Sequence, residues 1–562
     1  MAHTLTLTSD GFTDISLTTG DYYLIDYTPQ SSRNSDTVTE SAVIGISASS
    51  STGISDDIRD IERALQLAQR RYDTESGDRV YIKFQPTNYT SAYRSELVRP
   101  SPDEEVGQVD YDGDVLGGRW AADDITTVIT WTRKNYWEAN SETELQLSNQ
   151  LTSATTGGIS VYNVHKTTGA IMDDTSISFY STGSAVSLYD IHQDEIRDSD
   201  NNLDFSQHDL IAVSGSDSND GVYYLVSASS GMVMVAEDLT AESSSSGNLI
   251  NIFNVSNFVD IAASEVDGNL PAYVRLEMRP ESTGIEKVWI GGHIYKDEYA
   301  AGEQFYGIKH YLDASDAQGS TGISTDTNCS NETKVSTSIG TSEERIAYWD
   351  LPFEVTMGNA GGAYYKVFAR WSTGAAETNA KWRIKVGMGT STGGNFDFVG
   401  EQVEYDDTYA DTVMNIREID TIRLPPNGIV EKYDLPGNYY LHLFGESTTT
   451  GSVNADIDFL MLMPTEFYRE YKFIRTIGGQ STNNPDELID DGINDEVYIS
   501  GRGLAYNAGT KKNVIYRGSK IALYPNKDHR LFFLIHPNST DGGDYDLEST
   551  IKIYYRPRRR TL

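Results

Sequence analysis

Nine histidines and one cysteine in 562 residues are the groups best suited to metal or nucleophilic chemistry. His3, His165, His192, His208, His293, His310, His442, His529 and His536 are scattered, without the H-E-x-x-H spacing that presents two imidazoles to zinc from one helix. Cys329 cannot form an intrachain disulfide, and no histidine stands near it in sequence to lower its thiol pKa. The one G-x-S-x-G match, residues 389–393, leads into the strand-like run NFDFVG and not into a helical pattern, so it is no nucleophile elbow, and neither a P-loop nor a strand-helix GxGxxG occurs. The 83 acidic residues supply many carboxylate pairs of the kind glycosidases use, but spacing along a β chain does not give their separation in space. The expectation is a chain with no catalytic residue, no cofactor and no metal centre.

Three acidic clusters and two other groups bear on binding. Asp198, Asp200, Asn202 and Asp204 imitate the start of a calcium loop, but Leu203 stands where the EF-hand pattern requires glycine. This cluster, Asp110-Asp112-Asp114 and Asp490-Asp491-Gly492 read as surface turns. The 36 tyrosines and 7 tryptophans are abundant, and rigid amphipathic rings suit both subunit interfaces and sugar stacking. Tyr364, Trp371 and Trp382 are the candidates for stacking on a glycan, with core packing as the alternative for each tryptophan. Alternation in YYKVFARW sends Tyr364 and Tyr365 to opposite faces, one buried and one exposed. The closing RPRRRTL places Arg556, Arg558, Arg559 and Arg560 on a basic end that either docks onto an acidic neighbouring subunit or is disordered.

The elements that must position these groups follow from composition. Ser, Thr, Gly, Asp and Tyr abound, as in short strands joined by many turns. A formal charge of -39 repels phosphate backbones, so nucleic acid is not an expected partner. No run approaches the ~20 apolar residues of a membrane span, and MAHTLTLTSDG lacks the basic and apolar regions of a signal peptide, so synthesis in a cytoplasm is expected.

The predicted fold class is mainly β, a multidomain β-sandwich and jelly-roll architecture with one helix in the N-terminal domain. Residues 1–150 form a β domain whose helix covers 56–73, where Ile58, Ile61, Leu65 and Ala68 recur at helical spacing and Asp56 and Asp57 suit its start. Residues 165–250 read as a small β module, with segments such as SLYDIH, LIAVSGS and GVYYLVSA and an Asn219-Asp220-Gly221 hairpin signal. Residues 251–480 read as a jelly-roll-like sandwich with a long, exposed polar loop at 313–343. Residues 481–562 supply strands that complete that sandwich.

Several segments resemble one family, the minor or distal tail proteins of long-tailed bacteriophages. DRVYIKFQPTNYTSAYRSELV and ITTVITWTRKNYWEA resemble the N-terminal domain of the ring that joins tail tube to tail tip. NFVDIAASEVDGNLPAYVRLEM resembles the junction into that family's second sandwich. DIDFLMLMPTEFYREY, LIDDGI, RGSKIALYPNKDHRLFFLI and IKIYYRPRRRTL resemble its C-terminal region. The chain departs from that pattern after Tyr162-Asn163, where 165–250 intervene and resemble a small β module of assorted phage structural proteins. The resemblance implies a virion protein of the tail, made in the host cytoplasm. It implies a ring homo-oligomer, most simply a hexamer, with tube and hub proteins as partners. A host surface glycan is the partner under a second reading, a receptor-binding protein. A third reading is a polysaccharide-degrading tail enzyme.

Overall fold

The computed structural model describes residues 3–48, 51–74, 77–111, 124–163, 172–181, 194–205, 210–235, 239–243, 249–281, 284–294, 311–319, 322–326, 328–330, 333–351, 364–373, 380–389, 397–407, 413–424, 438–449, 451–478, 486–500, 514–537 and 547–562. The chain is mainly β, and the α-helix of the described residues lies in the N-terminal domain. SLYDIH, Asp112, Asp114, His165, His192, His208 and His310 lie outside the described residues.

In the first domain one sheet orders Phe12–Ser16, Thr4–Ser9, Val80–Gln85, Tyr93–Glu96, Trp137–Ala139 and Arg558–Arg559; a second orders Tyr22–Tyr27, Thr37–Ser47, Asp124–Lys134 and Gly107–Tyr111. The helix spans Ser51–Thr74, starting earlier than the 56–73 expected. Ile54, buried beside Ile58, Ile61, Leu65 and Ala68, extends the apolar stripe backwards, so burial overrides the weak helix propensity of Thr52 and Gly53. Asp56 and Asp57 therefore sit past the first turn, and Asp56 pairs with exposed Arg59 at 2.8 Å.

A second body, the trunk sandwich, is assembled from three separated stretches. One of its sheets joins Thr143–Glu144, Ile159–Val161, Ala272–Pro280, Glu487–Asp491, Glu496–Ser500, Ala522–Leu523 and Ser549–Tyr555. The facing sheet orders Thr152–Thr155, Leu147–Asn149, Phe258–Ile261, His529–Pro537, Ile285–Ile294, Phe467–Ile477 and Val514–Gly518. Two modules interrupt it. Strands between Met172 and Asn254 form a seven-stranded sheet of their own. Strands between Tyr311 and Pro464 form the other.

That second insertion winds as a jelly roll. If its strands Thr333–Ile339, Glu344–Leu351, Tyr364–Ser372, Ala380–Gly389, Asp397–Asp407, Asn415–Arg423, Asn438–Ser447 and Val453–Pro464 are counted in order, one sheet runs first-eighth-third-sixth. The other runs second-seventh-fourth-fifth. The single 251–480 sandwich expected from sequence thus divides into trunk and jelly roll. The strands from Glu487 to Tyr555 complete the trunk instead, and Arg558–Arg559 joins the first domain, because alternation shows which face of a strand is buried and not which distant strand it pairs with.

The expected exposed loop at 313–343 is largely structured. Tyr311–Asp313, Ile323–Thr325 and Thr333–Ile339 are strands, Asp313, Cys329 and Ser330 are buried, and Val335 and Ile339 enter the core. Its polar composition reflects short strands that need few apolar residues.

Candidate functional site

The candidate stacking residues do not converge. Trp371 and Trp382 are fully buried between the jelly-roll sheets, with ring centroids 4.5 Å apart and planes 23° apart. Trp371 donates its Nε1–H to Asp407 Oδ2 at 2.8 Å. They are core residues, which removes them from any glycan platform. Tyr364 is 53% exposed at the start of the same strand, with the Arg423 guanidinium 5.6 Å from its ring, while Tyr365 is buried. The adjacent-tyrosine split expected from alternation is present.

The basic end is ordered and engaged within its own chain. Arg558–Arg559 adds to the first domain's sheet beside Trp137–Ala139. Arg556 donates to the carbonyls of Ala139 and Asn140 and to Glu142 Oε1. Arg558 lies between the rings of Tyr136 and Tyr273, at 4.3 and 5.0 Å, and Arg559 forms two bonds to Asp267 at 2.8 and 3.0 Å. The backbone N–H of Arg560 donates to Asn269 Oδ1. The tail thereby joins the first domain to the trunk, and Arg79 adds to that junction by donating to the carbonyls of Ile493 and Asn494.

Sequence reasoning missed three buried ionic networks, one in each large body. In the first domain Arg133 grips Glu40 with two parallel bonds, at 2.9 and 2.5 Å, and lies 4.2 Å over the Trp137 ring. Tyr27 also donates to Glu40, and burial followed by that carboxylate's charge pushes the Tyr27 hydroxyl far above its usual range. In the trunk Arg469 holds Asp490 bidentately while Tyr471 donates to Asp490 at 2.5 Å. Asp490, expected on a surface turn, is buried at the end of a strand.

Burial favours a proton in the jelly-roll network. Arg370 binds Asp458, and the Ser330 hydroxyl lies within bonding reach of both Asp458 Oδ1, at 2.8 Å, and Asp313 Oδ2. A hydroxyl has one hydrogen, so it bonds both carboxyl groups fully only by donating to one and accepting from the other. The accepting side requires a protonated carboxyl. Burial, then the charges of Asp316 and Asp458, pushes Asp313 up to about 8, which makes Asp313 that acid. Burial likewise raises Asp458, against the pull of Arg370.

The remaining candidates resolve as local structure. Asp198 accepts from the amides of Asp200 and Asn202 and from Ser176 Oγ, so its carboxylate organises its own turn; Leu203 is core. Among the described residues no group of three or more His, Cys, Asp or Glu side chains is placed to hold a metal ion. Burial pushes the Cys329 thiol up and holds His442 near 3 and His529 near 4, so both imidazoles are neutral at pH 7. Two open polar grooves accompany these networks. One, of about 730 Å³, is lined by residues including Ser336, Ser338, Arg345 and Asp456 of the jelly roll; the other, of about 500 Å³, by Ser178, Tyr180, Arg197 and Asn201 of the first insertion. Among the described residues no helix is long and apolar enough to cross a membrane.

No protein-family model and no curated protein matches this sequence. Among solved structures, a chain of the phage P2 baseplate in its activated conformation with Ca is similar at a TM-score of 0.24 and 7% identity, over 79% of this chain and 98% of that one. The infectious bursal disease virus Gt strain gives 0.17 and 7%, over 75% and 83%; a VP2 subviral particle of that virus gives 0.16 and 8%, over 70% and 81%. At such TM-scores these likenesses carry no argument about function.

Proposed function

We propose that this chain is a non-enzymatic structural subunit of a bacteriophage tail, forming the distal-tail or baseplate ring between tube and tip. One observation supports this reading above the others. The segments whose sequences resemble that family come from both ends of the chain and from residues 257–278 between them, yet Trp137 and Arg559 pair in one sheet, and Arg79 meets the turn after Glu487–Asp491. Most of the resembling residues therefore lie in the joined first domain and trunk, with residues 456–464 in the jelly roll, and the two inserted modules begin and end at the trunk. In this reading the first domain closes a homo-oligomeric ring, a hexamer to match a six-fold tube, the insertions project outward, and tube and hub proteins are the other partners. Antibodies against the chain should decorate the distal end of the tail in particles that carry it; decoration of the head, or none on intact particles, contradicts the proposal.

A second reading, binding of a host surface glycan, rests on exposed Tyr364 beside Arg423. A glycan array separates the two, since a purely structural ring component shows no saccharide selectivity. Turnover of host exopolysaccharide by the purified chain would instead establish the enzymatic alternative.

A further inference from the structure

The outward face of the first domain's four-stranded sheet differs from the acidic surface expected of a chain with charge -39. Its two central strands place Thr39 opposite Thr132, Ser41 opposite Thr130, Val43 opposite Val128 and Gly45 opposite Thr126. Those four rungs contain no charged side chain. Thr39 and Thr132 hydroxyls bond at 2.8 Å and Ser41 and Thr130 at 2.9 Å, each able to act as donor or acceptor. The ring of Tyr23 lies over Gly45, where any Cβ would collide with it, and Tyr23 and Ile25 are 43% and 50% exposed. Charge lies at the margins of this face: the end rungs of the central strands are Thr37 opposite Lys134 and Ser47 opposite Asp124, and the outer strands add Asp26 opposite Val43 and Asp110 opposite Val128.

We infer that this face packs against the same face of a second copy of the chain. The argument is electrostatic first. Copies that each carry a large negative charge repel, and approach is least costly where both surfaces are neutral. Hydroxyls that donate and accept equally well are complementary to themselves, which a two-fold contact requires and a basic partner does not. Area agrees: eleven paired rungs on the central strands and shorter flanking strands span roughly 500 Å² of plane per copy, so a pair buries roughly 1,000 Å², the lower bound for a specific interface. This inference goes beyond the ring, because a face-to-face contact joins two subunits or two rings without closing either.

Sedimentation of the full chain over a range of concentrations tests it. Wild type should associate reversibly, and the double substitution Ser41→Glu, Thr130→Glu should weaken association at least tenfold, with the circular dichroism spectrum unchanged and melting lowered only slightly by the two facing carboxylates. Ser153→Glu, an exposed site on the trunk, should leave association intact. If the double variant folds poorly, the single change Thr126→Glu at an exposed position of the same face carries the test. Association undiminished by face charges, or weakened equally by Ser153→Glu, overturns the inference. Electron micrographs keep the two proposals apart: unpaired rings in the variant support the face and the ring together, whereas wild-type face-dependent dimers without rings support the face and count against the ring alone.

Discussion

Two central strands show how differently one fold uses its faces. In Asp124–Lys134, Ile129 and Trp131 enter the first domain's core while Thr126, Val128 and Thr130 point outward. In His529–Pro537 every residue is buried: Leu531, Phe533 and Ile535 belong to the trunk core, and Phe532 and Leu534 to the core shared with the jelly roll. In Val453–Pro464 the run FLMLM is buried in the same two-sided way, and Trp289 of the trunk meets Phe368 of the jelly roll with centroids 5.0 Å apart. An alternating strand thus marks a sheet with one free face, and an unbroken apolar run marks a sheet covered on both. The jelly roll is fused to the trunk through apolar packing, whereas the four-stranded sheet of the first domain sends its buried apolar residues to one face.

The sharpest way to break this contrast is Leu534→Ala. A void between two cores should cost about 2–5 kcal/mol, read as a lower melting transition in calorimetry. Arg370→Ala should cost about 3–5 kcal/mol by leaving Asp458 buried without its guanidinium, detected as selective loss of protection in the jelly roll by hydrogen exchange. The Asp313 proton predicts a pH dependence of definite sign. A carboxyl raised above its unfolded value contributes stability that is complete below about 4 and is lost as pH climbs through about 8. Between pH 6 and 8 the jelly roll should lose roughly 2–3 kcal/mol, and Asp313→Asn should flatten that slope. Removing residues 557–562 should have a smaller, local effect, faster amide exchange at Trp137–Ala139 and Gly268–Leu270 with the trunk core unaltered, because the final strand and its arginines are lost together. Smallest of all, Thr126→Ala at an exposed position of the first domain's outward sheet face should change stability by no more than about 0.5 kcal/mol.

Much of this architecture was legible in the sequence, and its failures share a cause. Strands at Val80–Gln85, Tyr93–Glu96 and Asp124–Lys134 and the helical stripe follow from local periodicity, which a single segment carries. Ile54 continued the helical period, and the low propensity of its neighbours concealed it. The nesting of two modules within the trunk depends on pairings such as Ile285–Ile294 with His529–Pro537, which no local pattern encodes. Candidate sites were less legible for the same reason. Trp371 and Trp382 differ from surface tryptophans only in what lies across the sandwich. Arg370, Asp458 and Ser330 form a network only once strands far apart in sequence are adjacent. One cue was available: Arg370 and Asp458 directly adjoin the apolar runs VFA and FLMLM, and a charge at the edge of a buried run requires a buried partner.

The central claim, that this chain is built to assemble, is tested most directly by class averages of the purified full-length chain in the electron microscope. Closed rings, six copies in each, are the predicted result. A uniform population of single chains at every concentration would contradict it.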